Sequence, residues 1–212
     1  MIGPFGVEVT SGFFLLTAWL NYLDRSCLVP LTMLACGLHE LGHIAAIQSL
    51  GGDVKQIRLT AVGAELVLSR PLGYWQEGLA ALAGPGTNLV LAVLCCGLED
   101  WLTFAGTNLV LALFNLLPVG RLDGGRALHC VLALLAGPDL ALRLSGWLDH
   151  LCIAVLLALS LPPAAGGGNI TLLFVTFWLL ISSIQQKFRT YGKIRGCQRT
   201  GKRVQWLSRL SR

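Results

Sequence analysis

Apolar residues in this chain neither alternate nor keep to one helical stripe. They run on, for stretches that approach the roughly 20 residues a helix needs to cross the hydrocarbon of a bilayer. Six such stretches predict six membrane helices: Val9 to Leu23, Ser26 to Leu50, Gly78 to Leu98, Trp101 to Pro118, Ser145 to Leu161 and Ala164 to Ile184. The third holds Gly84-Pro85-Gly86, which is expected to kink it or split it into two half-helices. Arg126 to Ala136 is apolar but too short to span, and reads as a re-entrant or interfacial helix. Two segments change period. Val7-Glu8-Val9-Thr10 alternates, and Ile57-Arg58-Leu59-Thr60-Ala61 meets Ala64-Glu65-Leu66-Val67-Leu68 through Val62-Gly63, a short hairpin that the N-terminal strand can join. The expected architecture is an all-α membrane protein of about six transmembrane helices with a short cytoplasmic β-hairpin.

Composition supports this reading. Of 212 residues, 54% are hydrophobic and 13% charged, against about 25% charged in a soluble domain, and the mean hydropathy is +0.67. A soluble enzyme, a disordered chain and a fibrous protein are all disfavoured. Nine of the 16 Lys and Arg residues fall between Lys187 and Arg212, a stretch with no acidic residue. The positive-inside rule therefore places both termini in the cytoplasm, with only Arg25 on the far side. Residues 1–186 are expected to form the transmembrane core and 187–212 a basic cytoplasmic tail lying on anionic lipid rather than on nucleic acid. The first apolar run lacks a basic region before it and a cleavage site after it, so it is expected to remain as an anchor. The seven cysteines lack any Cys-x-x-Cys pair and are expected as free thiols. Asn169-Ile170-Thr171 matches a glycosylation sequon in a predicted outside loop.

The chemistry lies in the second stretch. Ionisable groups within a membrane helix are costly and mark function, and His39-Glu40-Leu41-Gly42-His43 places three within five residues. Histidines four apart share a helix face and can ligate one zinc ion, while the glutamate between them can act as general base on water. A catalytic zinc takes three protein ligands. The third could come from His129, His150, Asp123, Asp139 or Asp149. Asp123 is the best placed, since Pro118 and Gly120 interrupt the helix before it and Gly124-Gly125 follow it, letting a carboxylate turn back toward the second helix. Asn88 and Asn108 read as interhelical hydrogen-bonding residues.

His39-Glu40-Leu41-Gly42-His43, together with Asn115-x-x-Pro118-x-x-x-Leu122-Asp123-Gly124-Gly125, resembles the paired signature of the site-2 protease family of intramembrane zinc metalloproteases. Ala83-Gly84-Pro85 is similar to another common element of that family. The Asn-Leu-Leu-Pro form and the early first motif resemble its sporulation branch, the stage IV sporulation protein FB type. The resemblance covers roughly residues 5 to 185. It implies zinc ligands at His39, His43 and Asp123, Glu40 as catalytic base, and a substrate-binding role for Asn115. Asn115-Leu116 departs from the commoner Asn-Pro, and the branch's C-terminal CBS domain has no counterpart after the sixth stretch.

The expected function is a zinc-dependent intramembrane endopeptidase that cuts a membrane-associated protein near the cytoplasmic face. The resemblance points to a sporulation sigma-factor precursor as substrate, a bacterial cytoplasmic or forespore-surrounding membrane as location, and inhibitory or regulatory membrane proteins as partners. The competing class is a membrane transporter or scaffold that binds zinc without hydrolysis.

Overall fold

A computed structural model describes residues 6–60, 63–165 and 173–183. In chain order its elements are β1 (Gly6–Val9), α1 (Ser11–Leu23), α2 (Leu28–Ser49), β2 (Val54–Thr60), β3 (Gly63–Leu68), α3 (Tyr74–Cys95), a 3-10 turn (Glu99–Trp101), α4 (Leu102–Asn115), α5 (Asp123–Ala136) and α6 (Pro138–Ala165), followed by a short apolar helix, α7 (Leu173–Ser183). The chain divides into two compact units, Met1–Leu148 and Asp149–Arg212. The basic tail, the glycosylation sequon and the turn residue Val62 lie outside the described residues.

Among the described residues three helices are long and apolar enough to cross a membrane: Leu28–Ser49, Tyr74–Cys95 and Pro138–Leu161 within α6. These correspond to the second, third and fifth predicted spans. The first and fourth become α1 and α4, of 13 and 14 residues. At about 1.5 Å per residue these reach about 20 Å, short of the roughly 30 Å of hydrocarbon. Six apolar runs therefore do not translate into six spanning helices. The runs overshoot because apolar residues continue into the loops, as at Leu116 and Leu117 after α4. Of the sixth predicted span, Ala164 and Ala165 belong to α6 and Leu173–Ser183 to α7, and residues 166–172 lie outside the described residues. Asp123–Ala136 is a 14-residue helix, in keeping with a segment too short to span.

Nor is the third span split at its proline. Pro85 sits inside one 22-residue helix. Its missing N–H takes a bond from the Ala81 carbonyl, but tight packing compensates: α3 contacts α2, α4 and α5, and Gly84 and Pro85 are both buried.

The first unit buries mainly small residues with a few polar ones and turns its large apolar side chains outward. Its buried positions are largely small, including Ala35, Ala80, Ala81, Ala92, Ala105, Ala112, Ala127 and Ala133, with His39, His43, Asn88, Asn108 and Asp123 among them. The large apolar side chains face outward, with Val93 71% exposed, Leu94 68% and Leu135 80%. Small residues let membrane helices approach closely and gain by packing what the lipid, as apolar as leucine, cannot supply. In the second unit Asp149 is buried and accepts a 2.5 Å hydrogen bond from Ser183 Oγ, so this acid is accommodated within an apolar helix.

The hairpin forms as expected and gains the N-terminal strand. The sheet order is β1-β2-β3, with β1 parallel and β3 antiparallel to β2. Glu8 opposes Arg58 in the register and accepts from its Nε at 2.9 Å. Gln76 joins the ends of α2 and α3: its Oε1 accepts from the Gly73 N–H at 3.0 Å, and its Nε2 donates to the Leu50 carbonyl at 2.9 Å.

Asp24 starts α2. Its carboxylate accepts from the backbone N–H groups of Val29 at 2.8 Å and Ser26 at 2.9 Å. These bonds hold its carboxyl below the ordinary carboxylate value, the Val29 bond contributing most. A group so depressed stabilises the fold above its unfolded value and loses that contribution as pH falls through its folded one. Asp24→Asn is therefore expected to lower the melting temperature of the detergent-solubilised protein at pH 7, with the gap to the parent narrowing as pH falls below the ordinary carboxylate value. A gap independent of pH contradicts the assignment.

Candidate metal centre

The i, i+4 spacing of His39 and His43 puts both rings on the face of α2 turned toward α3 and α5. The rings stand edge to face, with centroids 4.7 Å apart. Asp123 reaches them from 80 and 84 residues further along, as the first residue of α5. The chain turns sharply before it: the Val119 N–H donates to the Leu117 carbonyl and the Leu122 N–H to the Val119 carbonyl, both at 2.8 Å. The two glycines that follow are required by close approach. A Cβ on Gly124 would meet the Leu116 backbone, and one on Gly125 the Val119 carbonyl.

Three ligand atoms converge. Asp123 Oδ2 lies 3.1 Å from His39 Nε2 and 3.2 Å from His43 Nε2, and the two Nε2 atoms are 3.1 Å apart. All three residues are buried. Among the described residues this is the one His/Cys/Asp/Glu cluster with ligand atoms close enough to share an ion. Two imidazole nitrogens and one carboxylate oxygen fit Zn2+, whose catalytic sites take three such ligands and keep a fourth position for water or substrate. The remaining Asp123 oxygen, Oδ1, faces Arg126 at 3.6 Å, and Arg126 also pairs with Glu77 at 3.6 Å. One carboxylate oxygen is thus aimed at the histidines and the other at a guanidinium.

Each histidine is held from behind by α3. His43 Nδ1 donates to the Ala80 carbonyl at 2.7 Å, since a carbonyl can only accept, which leaves Nε2 a lone pair. His39 Nδ1 meets Asn88 Nδ2 at 3.2 Å. Between these two contacts lies Gly84, where a Cβ would collide with both imidazoles.

Glu40 follows His39 on α2 and is half-buried. Among the described residues no hydrogen bond or ion pair fixes its carboxylate. Asn115 ends α4, and its amide donates to the Leu111 carbonyl at 3.0 Å rather than reaching the cluster. Of the other candidate ligands, His129 contacts Ser145 and the Tyr74 ring, Asp149 bonds Ser183, and Asp139 and His150 are exposed. Asn108 spends its amide on the Phe104 carbonyl of its own helix, not on a neighbour. The Ala80 carbonyl, Gly84, Asn88, Arg126 and Glu77 escape a reading by ionisable motif. Only Arg126 carried a signal, lying one helical turn after Asp123.

No family model matches the chain. It is similar to "Putative zinc metalloprotease sll0528" of Synechocystis, with 33% identity over 57% of this chain and 34% of that protein. It is also similar to "Putative zinc metalloprotease Rip3" of Mycobacterium tuberculosis, 27% identical over 83% of this chain and 49% of the other, and to "Zinc metalloprotease MJ0392" of Methanocaldococcus jannaschii, 25% identical over 53% and 36%. The chain spans about a third to a half of the length of these relatives. In three dimensions it superposes on the site-2 protease from Methanocaldococcus jannaschii with a TM-score of 0.63, at 22% identity, covering 84% of this chain and 89% of that one. The chain has the site-2 protease fold. Zinc is the cofactor that its three converging donors and its metalloprotease relatives support.

Because both rings press on Gly84, Gly84→Ala is expected to weaken zinc binding by about tenfold or more, measured by chelator competition on the purified full chain, with helical content retained. Unchanged affinity contradicts the packing described.

Proposed function

We propose that this protein is a zinc-dependent intramembrane endopeptidase of the site-2 protease type, cutting a membrane-associated protein near the cytoplasmic face. The observation that carries the proposal is the convergence of His39, His43 and Asp123 inside an apolar bundle, with an untethered Glu40 one residue from a ligand. His43 lies six residues and His39 ten residues before Ser49, the end of α2, so the site would sit about 9 to 15 Å below the membrane surface at that end. Metalloprotease relatives and a site-2 protease neighbour add support.

When bound, zinc supplies the Lewis acidity that makes water nucleophilic at neutral pH and polarises a peptide carbonyl. The chain's own residues do the rest. Glu40 takes a proton from the attacking water as its oxygen bonds to the carbonyl carbon, and returns it to the amine nitrogen as the C–N bond breaks. Arg126 engages Asp123 Oδ1, which keeps Oδ2 directed at the site. The substrate helix must unwind first, because an intact helix buries its carbonyls in its own hydrogen bonds. The sheet offers a place for the unwound segment: β2 is central, so β1 and β3 each have an outer edge to which an extended peptide can add. Asn115, whose amide bonds the Leu111 carbonyl at the end of α4, is the residue proposed to contact substrate. Both termini are cytoplasmic in this reading. The sporulation assignment, with a sigma-factor precursor as substrate and a forespore-surrounding membrane as location, rests on the Asn115-Leu116-Leu117-Pro118 form and the early first motif.

The alternative, a zinc transporter or scaffold, has no use for a general base beside the ligands. Glu40→Gln is expected to keep bound zinc and to lower cleavage by about a hundredfold to ten-thousandfold, measured in liposomes with a reporter fused to a single transmembrane helix interrupted by glycine and proline. A cut product from that variant at the parent's rate overturns the protease reading. A proline within β3 is expected to slow cleavage with zinc retained; unchanged cleavage removes the edge-strand role.

A further inference from the structure

Ala80, Gly84 and Asn88 fall at i, i+4 and i+8 of α3 and form one stripe facing the two histidines. The first supplies a carbonyl to His43 Nδ1, the second supplies space for both rings, and the third supplies an amide to His39 Nδ1. The two outer contacts do equivalent work by different chemistry. A ligand imidazole that uses Nε2 must carry its proton on Nδ1, and that proton needs an acceptor. For His43 the acceptor is a backbone oxygen, fixed by the helix. For His39 the side chain is Asn88, buried with 0% of its surface exposed.

We propose that Asn88 is the positioning residue of this metal site: its Oδ1 accepts the Nδ1 proton of His39 and so fixes the ring as an Nε2 ligand. The inference rests on the reading of His39 as a zinc ligand and extends it to a residue outside the paired motifs. The two ends of an amide have nearly the same shape, so either can face Nδ1. With Nε2 committed to a metal, only the oxygen end can accept from Nδ1–H. The structure records the amide with Nδ2 toward His39 Nδ1 at 3.2 Å and with Oδ1 sealed and lacking a hydrogen-bond partner; turning the amide over brings Oδ1 to the Nδ1 proton and gives that oxygen its partner. Asn108 shows the contrast. It recurs in the same local sequence, Thr107-Asn108-Leu109 after Thr87-Asn88-Leu89, and it too is fully buried with an unpartnered Oδ1, but its nitrogen is committed to the Phe104 carbonyl. Asn88 alone of the pair is turned to a ligand.

The test measures zinc affinity of the full-length, detergent-purified chain by chelator competition in the parent, Asn88→Leu and Asn88→Asp, with the visible spectrum of the cobalt-substituted protein as a second readout. Leucine keeps the volume and removes the acceptor; aspartate keeps the acceptor. The expected result is a loss of about 10- to 100-fold in affinity and an altered cobalt spectrum for Asn88→Leu, with Asn88→Asp at or above the parent affinity. A purely structural role for Asn88 predicts that both variants weaken binding alike, and that result overturns the proposal. Parent-like affinity in Asn88→Leu overturns it as well, while leaving the zinc site standing. A parent chain that binds no zinc overturns the metal reading itself, and this proposal with it.

Discussion

Three polar atoms from two helices meet in the interior of an apolar bundle, and the rest of the first unit accommodates that meeting. An ionisable side chain removed from water costs several kcal/mol unless every polar atom it carries is engaged. Here the accounting closes locally: both Nε2 atoms and Asp123 Oδ2 face one another, both Nδ1 atoms face α3, and Asp123 Oδ1 faces Arg126. Closing it requires α3 to approach both α2 and α5 nearer than leucine-lined helices can. The stripe of alanine and glycine on α3 follows from that requirement, while the paired glycines of α5 let the start of that helix pass close to the backbone of Leu116 and Val119.

The same constraint explains the distribution of residues. Large side chains are displaced to the outer surface, where lipid is an adequate solvent, and the interior is left to small residues and to amides. Pro85 survives inside α3 for a related reason. Close packing of three helices around it holds the backbone together, and Thr87 Oγ1 bonds the Ala83 carbonyl one turn earlier.

How much of this was legible in the sequence depends on the kind of signal. The ligands were legible because ionisable residues stand out against an apolar background and because helical periodicity dictates that His39 and His43 share a face. Asp123 followed from the need for a third ligand and from the chain-breaking residues around it. The sheet, including its N-terminal strand, showed in a period of two. The supporting shell did not show. Ala80 acts through a backbone carbonyl, which no residue type announces. Gly84 works by lacking a side chain, and Asn88 looked like any amide joining two helices. Three of the six expected spans are matched by helices of spanning length among the described residues, because hydrophobicity marks what lipid tolerates, not where a helix ends: Leu116 and Leu117 continue the apolar run after α4 has stopped.

At the centre of the account stands the claim that residues 84 positions apart build one zinc site. The most direct measurement is the metal content of the detergent-purified chain by mass spectrometry, for the parent beside His39→Ala and Asp123→Ala. One zinc per parent chain and a large loss in each variant are expected. Zinc retained at parental stoichiometry after loss of Asp123, or none in a parent purified without chelators, would contradict that claim.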